Sequence, residues 1–168
     1  QLLCERVIYV LGLPQAPDDG FRHEGDLFMN LDLVRELVLP LSESDVRALK
    51  VGEPVSLSGV ILTARDTAHR WMVDTFIRRT RKLSGDDQDV YAAIKPVLEG
   101  GALYHCGPVV TGLDTGNYRF TAAGPTTSMR EEVYQREVMK HFNIRAVIGK
   151  GGMGPDTLKA CGEIPGVY

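Results

Sequence analysis

The stretch Ile144-Arg-Ala-Val-Ile-Gly-Lys-Gly-Gly-Met-Gly-Pro155 decides the fold. Ile144–Ile148 predicts a short buried strand and Gly149–Gly154 a glycine loop. Pro155 suits the first position of a new helix, where its missing N–H costs nothing. Immediately upstream, Gly124-Pro125 breaks the chain and Thr126-Thr127-Ser128 offers helix caps. Met129, Val133, Val138 and Phe142 then predict one side of a helix. Further out, Val55–Leu62 alternates apolar and polar and then becomes continuously apolar, as one strand entering a buried sheet does. Asp66 is the expected N-cap of a helix running to about Lys82, with Ala68, Trp71, Met72, Thr75 and Phe76 on one face. Leu31–Leu41 reads as a short strand, and Ser42 as the cap of a short turn reaching Leu49. Ser84–Asp89 reads as a loop, and Ala102–Cys106 as a strand ending at Gly107-Pro108. Asp114–Asn117 reads as a hairpin turn leading into Tyr118–Thr121. Strands alternating with helices predict an α/β domain with a parallel sheet, and the hairpin adds antiparallel strands.

Composition agrees with one globular domain. The chain has 168 residues, 43% hydrophobic and 24% charged, with a net charge of −3. No window holds the roughly 18 apolar residues of a membrane span. Cys4, Cys106 and Cys161 are widely spaced and odd in number, which suits a reducing cytoplasm better than a disulfide framework. The slightly acidic balance argues against nucleic acid, and Arg78-Arg-Thr-Arg-Lys82 reads as a solvated helix end. Residues 14–28 carry turn formers and charges without a period, the mark of an irregular segment.

Gly149-Lys150-Gly151-Gly152-Met153-Gly154 matches the spacing G-x-G-x-x-G between a strand and a helix. A dinucleotide unit also needs a second strand and an acidic residue roughly 20 positions on, which the sequence through Tyr168 does not hold. A tight turn and an anion site using Lys150 remain as readings. Arg130 lies in the first turn of its helix, the unfavourable end for a cation, where a carboxylate such as Glu131 or Glu132, or a bound anion, would compensate. Arg65 sits at the junction of a buried strand and a helix, where α/β proteins place ligands. Three cations at such junctions suit a substrate with two carboxylates or a phosphate. Thr126 is a candidate for hydroxyl chemistry or a simple cap. His69, in the first turn of the Trp71 helix, is a candidate acid or base or a structural hydrogen-bonding residue. His105 and Cys106 are adjacent on a strand, so they point to opposite faces and make a poor ligand pair.

Three motifs together resemble the β subunit, or C-terminal domain, of the iron–sulfur class I fumarase and L-tartrate dehydratase family. They are Leu57-Ser-Gly-Val-Ile-Leu-Thr-Ala-Arg-Asp-Thr-Ala-His69, Gly124-Pro-Thr-Thr-Ser-Met-Arg130 and Ile148-Gly-Lys-Gly-Gly-Met-Gly154. The resemblance implies a swivelling three-layer β/β/α domain with mixed parallel and antiparallel strands. It also implies reversible addition of water across the double bond of a four-carbon dicarboxylate, fumarate first and tartrate second. A four-iron four-sulfur cluster would be held by a cysteine-bearing α subunit in an α2β2 assembly in the cytoplasm, not by this chain. Thr126 would take part in proton transfer, with His69 and Lys150 as further catalytic candidates. Arg65, Arg130 and Lys150 would hold the carboxylates. The match covers about residues 33–168, so the expected division is a leader, 1–28, and a catalytic domain, 29–168, with Met29 as the natural start. Relatives continue past the position of Tyr168, so the chain is expected to be short at that end. The rival reading is a binding module that holds a dicarboxylate or phosphate without catalysis.

Overall fold

The computed structural model describes residues 7–10, 34–80 and 82–168. Residues 14–28, Cys4, the expected start at Met29, the first residues of the Leu31–Leu41 strand and Arg81 lie outside the described residues.

In chain order the elements are β1 (Val7–Val10), β2 (Arg35–Val38), α1 (Glu43–Arg47), β3 (Pro54–Ser58), β4 (Ile61–Thr63) and α2 (Asp66–Met72), which widens into a π-helical turn over Val73–Ile77. Then come α3 (Gly85–Leu98), β5 (Ala102–Tyr104), β6 (Val109–Thr111) and β7 (Arg119–Ala122). A 3-10 turn over Ser128–Glu131 leads into α4 (Glu132–Phe142), followed by β8 (Ala146–Ile148) and α5 (Pro155–Glu163). No helix among the described residues is long and apolar enough to cross a membrane.

The centre is a parallel sheet in the order β4-β5-β8, with Ile61 opposite Ala102 and Ala102 opposite Ala146. Because side chains alternate along a strand, the two faces of this sheet join different cores. Leu103 and Val147 pack with Met72, Phe76, Val138 and Phe142 from the helices. Ala102, Tyr104, Ala146 and Ile148 pack with Leu37, Val55 and Leu57. Those last residues belong to a second sheet, β1-β3-β2, in which β1 runs antiparallel and β2 parallel to β3. β6 and β7 form an antiparallel hairpin. The architecture is therefore α/β with parallel and antiparallel strands.

Several local expectations are corrected. Val55–Leu62 is not one strand: it divides into β3 and β4, which join different sheets. The break is Gly59, at φ +131°, where a Cβ would stand 2.8 Å from the Leu39 Cβ; only glycine combines that backbone with that approach. The Trp71 helix stops at Ile77 rather than Lys82. Its last turn widens so that the Arg78 N–H reaches the Val73 carbonyl at 2.8 Å, a bulge that ends the helix early. Its N-cap is Arg65, and Asp66 is its first residue. Ser84–Asp89 is not a loop but the start of α3. The Ser84 hydroxyl accepts the Asp87 N–H at 3.1 Å, and the Asp87 carboxylate accepts the Ser84 N–H at 2.9 Å, a reciprocal capping box. Met129 and Val133 are 49% and 67% exposed: Met129 lies in the 3-10 turn, and Val133 stands five residues from Val138, about 140° away around α4. The buried residues of α4 are Gln135, Val138, Met139 and Phe142. Within residues 1–28, Val7–Val10 are not irregular; they pair with β3, Val7 opposite Leu57.

Candidate active site

The C-terminal ends of β4, β5 and β8 meet the three motifs at one edge of the parallel sheet, the place where open α/β sheets bind ligands. Backbone hydrogen bonds stitch this edge together. The His105 N–H donates to the Ile148 carbonyl at 2.7 Å, the Thr126 N–H to the His105 carbonyl at 2.8 Å, and the Ser128 N–H to the Lys150 carbonyl at 2.9 Å. Cys106 bridges Pro125 and Thr127 bridges Lys150. The segment 125–128 thus lies between the ends of β5 and β8 like a short added strand.

Two glycines make this packing possible. At Gly149 a Cβ would fall 1.8 Å from the Ser128 Oγ. That hydroxyl accepts the Lys150 N–H at 3.1 Å and the Tyr168 hydroxyl at 3.0 Å, so the glycine gives room to the atom that fixes the Lys150 backbone. At Gly107 a Cβ would fall 2.7 Å from the Arg65 Cδ, so the arginine stem crosses the chain where no side chain stands. Arg65 opens a cleft of about 850 Å³ lined also by Asp66, Thr67, Trp71, Cys106 and Pro108.

Arg65, Arg130 and Lys150 are all exposed. Among the described residues none of the three takes part in an ion pair. Neither Glu131 nor Glu132 forms an ion pair with Arg130 among the described residues, although the Arg130 charge does act on the Glu131 carboxyl. The Glu132 carboxylate accepts the N–H groups of Gly154 at 2.9 Å, Asp156 at 2.9 Å and Thr157 at 3.2 Å, and the Thr157 hydroxyl at 2.6 Å. Partial burial works to raise its pKa, but these donors outweigh burial and hold the carboxyl below its ordinary value. The N-terminus of α5 is therefore filled from within, and the glycine loop offers a ligand the Lys150 side chain rather than a helix end. Glu131 is fully buried; burial, with the charge of Asp66, raises its pKa.

His69 lies inside the protein rather than in the cleft. It is fully buried, with Nδ1 3.0 Å from the Arg65 carbonyl and Nε2 3.0 Å from the Gln135 amide. Burial lowers its pKa. His105 is fully buried too, and burial together with His69 lowers its pKa from 6.5 to about 4. Its neighbour Cys106 points to the opposite core, and burial raises the thiol pKa. Cys161, in α5, packs on the helical side of the sheet. Two thiols on opposite faces of a sheet do not fit an iron–sulfur cluster, which needs converging thiolates. Among the described residues no group of three His, Cys, Asp or Glu is placed to hold a metal.

The structure therefore brings Arg65, Thr126, Arg130 and Lys150 to one edge and sets His69 beneath it. Of the residues that hold this edge from behind, Ser128 is expected only as a helix cap and Glu132 only as a partner of Arg130, and Gln135 is not expected at all. Only the Glu132 role had a signal, an acidic residue just past a helix start, and its target lies 22 residues or more away in sequence.

The family described as Fumarase C-terminus matches residues 15–168, which includes residues 15–28 that the resemblance left without a counterpart. A Geobacillus stearothermophilus protein named "Putative fumarate hydratase class I" is 46% identical over 132 residues, 79% of this chain and 22% of its own length. The L(+)-tartrate dehydratase subunit beta of Escherichia coli (strain K12) is 31% identical over 132 residues, 79% of this chain and 58% of that subunit. The chain spans well under two thirds of the length of these relatives. Three motifs joined at one sheet edge, and a match that runs through all of them, give the conclusion: the chain belongs to the Fumarase C-terminus family.

Proposed function

We propose that this chain is the substrate-binding and proton-transfer part of an iron–sulfur hydro-lyase that interconverts fumarate and malate. The observation that supports the reading is that Arg65, Thr126, Arg130 and Lys150 lie on segments joined at one end of three adjacent parallel strands, the three cations exposed and, among the described residues, in no ion pair. Arg65, Arg130 and Lys150 would hold the two carboxylates of a C4 substrate. A proton on the carbon next to one carboxylate would pass to the Thr126 hydroxyl as its electron pair moves into that carboxylate. The extra negative charge is what nearby preorganised cations stabilise most, each contact being worth about 3 kcal/mol. A threonine hydroxyl is a weak base, so a carboxylate from a partner would receive the hydroxyl's own proton. His69 serves here as a support for Arg65, not as an acid or base.

The cluster would belong to a cysteine-bearing α subunit, since the described cysteines of this chain do not fit it, and the pair would form an α2β2 enzyme of the cytoplasm. The domain would be a swivelling β/β/α module over residues 29–168. Packing of helices on one face of β4-β5-β8 and of a second sheet on the other supports that layering. L-tartrate is the second substrate, favoured by the name of the Escherichia coli relative. Co-expression with a cysteine-bearing partner, followed by assays on malate, fumarate and both tartrates, tests the reading. Activity on one of them is expected. A pair that binds dicarboxylates and converts none would leave only a binding module and overturn it.

A further inference from the structure

Beneath the candidate site lies a buried polar group of three: His69 on α2, His105 after β5 and Gln135 on α4, each with no exposed surface. The imidazoles meet edge to face, with centroids 5.2 Å apart. The end of the Gln135 amide lies 3.0 Å from the His69 Nε2 and 2.8 Å from the His105 Nε2. Buried polar groups of this kind must match donor to acceptor or lose stability.

The proton placement follows from one fixed point. The His69 Nδ1 is 3.0 Å from the Arg65 carbonyl, which can only accept, so Nδ1 carries the hydrogen. Among the described residues no carboxylate bonds the ring, and burial favours its neutral form; its Nε2 is therefore a bare lone pair needing a donor. An amide oxygen there would set lone pair against lone pair. An amide nitrogen has two hydrogens, one for each histidine. The oxygen and nitrogen of a glutamine amide are alike in shape and are told apart by such networks. The Gln135 NH2 thus donates to both Nε2 atoms, and His105, also neutral, carries its proton on Nδ1; among the described residues that N–H and the Gln135 oxygen find no partner, the cost of relieving the lone-pair clash at His69.

We propose that Gln135 is a positioning residue that sets both buried histidines in the Nδ1–H form and through them holds Arg65 and Thr126 at the site. The links are on both sides. His69 grips the Arg65 carbonyl, and the His105 carbonyl accepts the Thr126 N–H while its own N–H reaches the Ile148 carbonyl, two residues before Lys150. Gln135 itself rides five residues after Arg130 on the same continuous 3-10 and α4 segment. A side chain remote from the cleft therefore sets four of its elements. Its catalytic meaning rests on the hydro-lyase reading; its chemistry does not.

The test is two-armed. Long-range proton–nitrogen NMR of the full chain, with nitrogen-15 histidine, reads which ring nitrogen carries hydrogen. Both His69 and His105 are expected with Nδ1 protonated and Nε2 bare, the form less favoured by free imidazole. Nε2–H at either ring in the folded chain would overturn the assignment, and this measurement needs no variant. Gln135→Glu offers only acceptors and should put hydrogen on Nε2 of both rings, His69 keeping its Nδ1–H on the Arg65 carbonyl as well. In the active pair, Gln135→Met should raise the KM for the dicarboxylate about tenfold, and Gln135→Glu should add an ionisation to the pH dependence of kcat/KM. Unchanged kinetics in both variants of an active pair would refute the positioning role. An inactive wild-type pair would refute the hydro-lyase reading, while the histidine spectra would still decide for or against Gln135.

Discussion

Replacing Glu132 with alanine should cost the chain about 3 kcal/mol. The carboxylate holds the N–H groups of Gly154, Asp156 and Thr157 and the Thr157 hydroxyl. Losing a cap at a helix start costs about 1 kcal/mol. The Thr157 hydroxyl, on a residue only 1% exposed, would be left without its acceptor, at about 1–3 kcal/mol more. For a chain of this size about 3 kcal/mol corresponds to a fall in Tm of about 6–12 °C. Urea denaturation should show a lower midpoint with unchanged slope, since the surface exposed on unfolding stays the same. Glu132→Gln keeps an acceptor but loses the charge that the helix start favours, and should lie between wild type and alanine. The folded pKa of Glu132 is lowered, so its stabilisation is complete above the ordinary carboxyl value and lost as pH falls through the folded one. The gap between wild type and the alanine variant should then close in acid. A loss below about 0.5 kcal/mol, or a gap that persists in acid, would refute the view that Glu132 holds α5 and the glycine loop together.

Other outcomes follow from the same geometry. Arg130→Ala and Lys150→Ala remove exposed side chains that make no ion pair among the described residues, so denaturation midpoints should hold while turnover of the reconstituted pair falls by well over tenfold; normal kinetics would remove both from the site. Gly149→Ala drives a Cβ to 1.8 Å from the Ser128 Oγ and should destabilise the fold strongly, with partial recovery in the Gly149→Ala, Ser128→Ala double variant, as read by thermal unfolding. His105 falls from 6.5 to about 4 on folding, so the unfolded chain takes up its proton first. Stability is then full above pH 6.5 and declines by about 3 kcal/mol toward pH 4; denaturation midpoints that stay level from pH 7 to pH 5 would contradict this.

How much of this was legible in the sequence depends on the range of each signal. The strand, glycine loop and helix after Ile144 were readable because each rests on adjacent residues, and Ser42 was readable as a cap for the same reason. The start of α3 was equally local, since Ser84 and Asp87 have capping-box spacing, but the run of turn formers around it masked the signal. The split at Gly59 was hidden because its cause is Leu39, twenty residues back in sequence and adjacent only in the fold. The face of α4 departs from the expected one because Met129 lies in a 3-10 turn, across which a period of 3.6 does not carry, and because Val133 is five residues, about 140°, from Val138. Arg65, Thr126, Arg130 and Lys150 could be singled out one by one from their positions at helix starts and loops. Their supports could not, because Glu132, Gln135 and Ser128 act on partners far along the chain.

Those supports also explain why the edge is positive in a chain whose net charge is −3. The two carboxylates nearest Arg130 in sequence are turned to other work: Glu132 closes α5, and Glu131 is buried where burial favours its neutral form. Had either paired with Arg130, the guanidinium would enter the reaction already compensated, and binding a substrate carboxylate would first require breaking that pair. On the hydro-lyase reading, Arg65, Arg130 and Lys150 would draw a dianion toward the edge and meet its growing charge without reorganisation. The same positive field opposes proton uptake by a neutral hydroxyl such as Thr126, because it favours the species with less positive charge. Cations strong enough to stabilise the carbanion therefore require an anionic base beyond Thr126. Near this edge Glu131 is buried and Glu132 holds α5; Asp66 lines the Arg65 cleft with Oδ1 on the Thr67 N–H, and the hydro-lyase reading assigns the base to a carboxylate across an interface. On that reading, the partner would then supply that base as well as the cluster.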